Sequence, residues 1–89
     1  MNVRIINNVT VTEKEIFDFI INPNNFDEED TRNEDGTVNN EGVILCFQEN
    51  VKYCIAGILK INKEQLNITQ DDRREYIEFF KTYLFSHGK

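Results

Sequence analysis

The run VILCFQENVKYCIAGILKI, residues 43–61, constrains this chain more than any other part of it. Apolar side chains fill most of it, so whatever the rest does, this run must be buried. A period of two predicts two antiparallel strands joined at Gln48, Glu49 and Asn50, with Asn50 in the left-handed position that asparagine tolerates. In that register Val43, Leu45, Phe47, Val51, Tyr53, Ile55, Leu59 and Ile61 share the core face with Gly57 among them. The opposite face carries Ile44, Cys46, Cys54, Ala56 and Ile58, which is too apolar for a solvated sheet surface. It requires a covering element, a second copy of the chain, or a partner.

The flanking sequence supplies local signals. NVRIINNVTVT alternates around Asn7-Asn8 and predicts an N-terminal hairpin over Val3 to Ile6 and Val9 to Val11, or one continuous strand. Thr12 and Glu15 form the T-x-x-E pattern in which hydroxyl and carboxylate satisfy backbone donors at a helix start. A helix over about 13–21 follows, with Ile16, Phe17, Ile20 and Ile21 on one face, and Asn22-Pro23 ends it. Phe26 packs back as an anchor. A second helix over about 70–86 opens at Thr69, with Asp71 and Asp72 in its first turn. Its stripe of Arg73, Tyr76, Ile77, Phe80, Tyr83 and Leu84 reads as core. The expected architecture is a single α+β domain, residues 1–89: a small antiparallel sheet built on the central hairpin 43–61 and an N-terminal strand or hairpin, with two helices.

Charge is unevenly placed. Residues 1–45 hold ten acids and three bases, net −7, whereas residues 46–89 hold six acids and seven bases, net +1. The stretch FDEEDTRNEDGTVNNEG, residues 26–42, concentrates Asp27, Glu28, Glu29, Asp30, Glu34, Asp35 and Glu41, and 27–41 reads as an acidic loop. Such a field repels phosphate backbones, which disfavours direct nucleic-acid binding, and it attracts cationic surfaces. A calcium loop does not fit. With Gly36 as the sixth position, the first would be Thr31 and the twelfth Gly42, so two ligands are missing.

Catalysis finds little support. The acids sit in the expected loop, the one histidine, His87, lies near the end of the sequence, and a glycine-rich phosphate loop is absent. Cys46 and Cys54 have neither the spacing nor the histidines of a metal site and read as reduced packing residues. No cofactor or metal is expected. Without a basic, apolar leader or a run of about 20 apolar residues, the expected location is cytoplasmic. Size and charge point to a non-enzymatic interaction module, a stoichiometric inhibitor of the phage anti-defence or toxin-immunity kind. The seven carboxylates would imitate nucleic-acid phosphates before a basic protein partner, such as a nuclease. The alternatives are a homodimeric assembly module using Ile44, Cys46, Cys54, Ala56 and Ile58, and a small metal-dependent enzyme.

Overall fold

A computed structural model describes the backbone of residues 3–6 and 9–87 and the side chains of residues 11–86. Strands β1 (Val3–Ile6) and β2 (Val9–Thr12) pair antiparallel, Val3 opposite Thr12 and Ile6 opposite Val9. The proposed turn residues Asn7 and Asn8 lie outside the described residues, as do Gly88 and Lys89. Thr12 then opens α1 (Glu13–Ile21) with a complete capping box. Its hydroxyl accepts from the Glu15 N–H at 3.2 Å, and its own N–H donates to Glu15 Oε1 at 2.9 Å. After Pro23 come α2 (Glu28–Thr31), α3 (Asn40–Glu49), α4 (Val51–Leu59), a 3-10 turn at Lys63–Gln65, and α5 (Gln70–His87).

The expected α+β architecture is overturned: the fold is mostly helical, and no central sheet exists among the described residues. Where a hairpin over 43–61 was anticipated, the chain forms α3 and α4, bent by 88°. The reason lies in what each side of the run must face. Burial falls at Val43, Ile44, Cys46 and Phe47 and again at Val51, Cys54, Ile55 and Ala56, a helical recurrence, while Leu45 and Tyr53 are 54% and 42% exposed. A run that is apolar on both alternating faces does not distinguish a covered strand from a core helix, and here helix wins. Asn39 starts α3 by accepting the Gly42 N–H at 3.2 Å. Asn50, assigned to a hairpin loop, is the corner between helices: its N–H reaches the Phe47 carbonyl and its Nδ2 the Cys46 carbonyl, closing α3. Its own carbonyl accepts the Cys54 N–H at 2.9 Å and so begins α4. Lys60 ends α4 in the left-handed region, with φ 61°.

The core forms where α1, α3, α4 and α5 meet. Phe47 of α3 and Phe80 of α5 are fully buried in an edge-to-face pair, centroids 5.1 Å apart. Ile16, Ile20, Tyr76 and Leu84 fill around them. Tyr76, Phe80 and Leu84 are the buried part of the α5 stripe, and Arg73 at its start is exposed. Gly57 lets α4 pass close to the Phe19 ring of α1, with no room for a Cβ. Among the described residues, no single helix is long and apolar enough to cross a membrane.

Candidate protein-interaction surface

The acidic segment is seated on the core by its few uncharged residues. Where α1 ends, Asn25 Nδ2 donates to the Phe19 carbonyl at 2.9 Å, and the N–H groups of Asn25 and Phe26 return to the Asn22 carbonyl. Phe26 then packs edge-to-face against Phe19 and Tyr53, at centroid distances of 6.4 and 5.8 Å, and Tyr53 meets Phe19 at 5.6 Å. Asp27 caps α2 without using its carboxylate. One turn later Thr31, 1% exposed, plugs into the interior, and its Oγ1 has no hydrogen-bond partner among the described residues.

The chain next makes a tight reversal. Gly36 N–H donates to the Asn33 carbonyl at 3.0 Å and Asn33 N–H to the Thr37 carbonyl at 2.8 Å, with Gly36 at φ 88°. This is the three-residue turn whose last position demands glycine, flanked by an Arg32–Val38 bridge. Asp35 stabilises it. Its carboxylate accepts from the Thr37 hydroxyl at 2.6 Å and the Thr37 N–H at 3.0 Å, and those two bonds hold its pKa below the ordinary value. Finally Asn39 N–H returns to the Thr31 carbonyl, and Gly42 of α3 abuts the Asp30 carbonyl so closely that a Cβ would collide with it. What reads as a loop is a helical turn, a reversal and a helix start in succession.

This scaffold leaves all seven candidate residues, Asp27, Glu28, Glu29, Asp30, Glu34, Asp35 and Glu41, exposed. Among the described residues none of them lies within ion-pair distance of a lysine or arginine. Arg32, the one base in the segment, spends its guanidinium on the Gly36 carbonyl at 3.2 Å. With Glu28, Glu29 and Glu34 it lines a shallow groove. The neighbouring acids of α1 do not join this free set: Asp18 pairs with Lys14 at 2.9 Å, Glu15 is bound in the capping box, and Glu13 is 3% exposed.

The second candidate set lies elsewhere than the sequence suggested. Ile44, Cys46, Cys54 and Ala56 are 7, 8, 0 and 3% exposed, and Ile58 is half-buried against the core. They form no external face because helical geometry turns them inward with the residues once assigned to the other side. Both cysteines are free thiols, and burial raises the pKa of each. Among the described residues no three histidine, cysteine or carboxylate side chains converge as a metal site would require. The exposed ring of Tyr53 departs from the alternating pattern, which places it on the core face of a strand. An aromatic residue between Lys52 and a buried Cys54 on a helix carries no pattern that reveals exposure.

Comparison with protein-family models, with curated proteins and with solved structures finds no match for this chain.

Proposed function

We propose that this protein is a non-enzymatic interaction module that docks on a basic, nucleic-acid-binding protein through the acidic segment 27–41, as a stoichiometric inhibitor acting by charge mimicry. One observation carries the reading: seven carboxylates on an ordered backbone, each exposed and none offset by an internal cation among the described residues. Crowded like charges cost the isolated fold stability, and a cationic partner removes that cost while being drawn in at an accelerated rate. The Phe19, Phe26 and Tyr53 cluster adjoins Asp27 and offers partly exposed ring surface, the kind of central contact that dominates interface energy inside a polar rim. Docking through Ile44, Cys46, Cys54 and Ala56 is not proposed, because those side chains are inside the molecule.

The test is capture of basic nucleic-acid-binding proteins by the intact chain and by a variant carrying Asp27→Asn, Glu28→Gln, Glu29→Gln and Asp30→Asn. All four side chains are exposed and make no hydrogen bond among the described residues, so the variant should fold. The expected result is loss of most binding, and steep salt sensitivity in what remains. Equal capture by both proteins at low salt would rule out the charge mechanism.

A further inference from the structure

We infer that the cleft between the start of α4, the 3-10 turn and the start of α5 binds a small phosphorylated ligand of nucleotide size. It is well separated in sequence from the acidic segment and has the opposite character. Its volume is about 450 Å³, within the usual range for small-molecule sites. Lys52, Lys63 and Arg73 line it, three of the ten bases in a chain of net charge −6. None of the three has a carboxylate within ion-pair distance among the described residues, although Glu49 and Glu64 lie on the same cleft. The local balance is therefore +1, and its cations are unpaired. Arg73 is held over the cleft by donating to the Gln48 carbonyl.

A second feature of the same cleft points to an anion. Cys54 is the first residue of α4 whose N–H meets a helical acceptor, the Asn50 carbonyl, so the N–H groups of Val51, Lys52 and Tyr53 have none. Asn50 would ordinarily cap them, but its side chain is turned back to Cys46. All three residues line the cleft, and amides without a backbone acceptor among the described residues, together with lysines, suit phosphate oxygens. The remaining lining is mixed: Asn50, Thr69 and Gln70 are polar, whereas Ile68 and Tyr53 add apolar surface, Tyr53 being 42% exposed with its ring in contact with Phe19 and Phe26. An oxyanion site with a half-exposed tyrosine and an isoleucine in the same cleft suits a nucleoside phosphate better than a free anion.

The test is amide-resolved NMR titration of the full chain with AMP, with adenosine as control. AMP is expected to give saturable shifts at Val51, Lys52 and Tyr53, and adenosine none. Lys52→Gln with Lys63→Gln, both exposed and with side chains that make no hydrogen bond among the described residues, should weaken AMP binding by about tenfold or more, the worth of losing charge-assisted contacts. The double variant's thermal midpoint should be unchanged, which separates lost binding from lost folding. Absence of saturable shifts with AMP, equal binding of adenosine, or undiminished AMP binding by the double variant would each overturn the proposal.

Discussion

Cys54 shows how completely the interior excludes water. Its side chain is fully buried, and burial first, then the neighbouring Cys46, pushes its thiol from 9.0 up to about 12. Only the thiolate attacks an alkylating reagent, so a buried thiol held protonated is inert. In the folded protein at pH 8, a chromogenic disulfide reagent is expected to titrate neither cysteine, and in urea both. A folded-state pKa above the unfolded one means that the folded chain holds its proton longer. The associated stability is fully present below pH 9 and is lost as pH rises toward 12. Denaturation curves across that window should show a decline that Cys54→Ala diminishes. Rapid reaction of the native thiols at pH 8 would mean that α4 opens readily, contrary to a core built on it.

At the scale of elements, the tightest joint lies where α3 passes the carbonyl of Asp30 at Gly42. Alanine in a helix is intrinsically better than glycine by about 1 kcal/mol. Here the added methyl would meet backbone rather than a side chain that can swing away, and overpacking of that kind costs roughly 1–3 kcal/mol. Gly42→Ala is therefore expected to be destabilising by about 1 kcal/mol net, measured by urea denaturation; a gain in stability would show that α2 yields freely. The sequence contains no hint of that joint, because it depends on two segments meeting in space. By contrast α1 and α5 are written locally: Thr12 with Glu15, and Thr69 with Asp72, mark their starts, and Ile16 with Ile20 or Tyr76 with Phe80 mark their inner faces. The α3–α4 pair was illegible for the opposite reason, since Val43 through Phe47 are apolar at every position and fit either period. The charged residues of the candidate surface could be named from sequence, whereas their seat on Thr31 and Phe26, and the ring of Tyr53 beside them, required the fold.

Over the whole molecule the charges form an arrangement under tension. The ion pairs Lys14–Asp18 at 2.9 Å and Arg74–Asp71 at 3.8 Å are exposed, and such pairs contribute little to stability. Against them stand seven unpaired carboxylates between residues 27 and 41, whose mutual repulsion acts over the Debye length, about 30 Å at 0.01 M salt and 3 Å at 1 M. Screening weakens both contributions, but repulsion is the more numerous, so stability should rise as sodium chloride increases from about 0.01 M to 1 M. The variant with Asp27, Glu28, Glu29 and Asp30 amidated isolates the source. It should be more stable than the parent at low salt and respond less to added salt, as read from urea midpoints at each concentration. A parent protein that loses stability on adding salt would show that attraction dominates and that the acidic segment is under no strain for a partner to relieve. The same screening that steadies the free protein would weaken the proposed capture by a cationic surface. Opposite salt slopes for folding and for binding are thus the joint signature of a carboxylate array held open for docking.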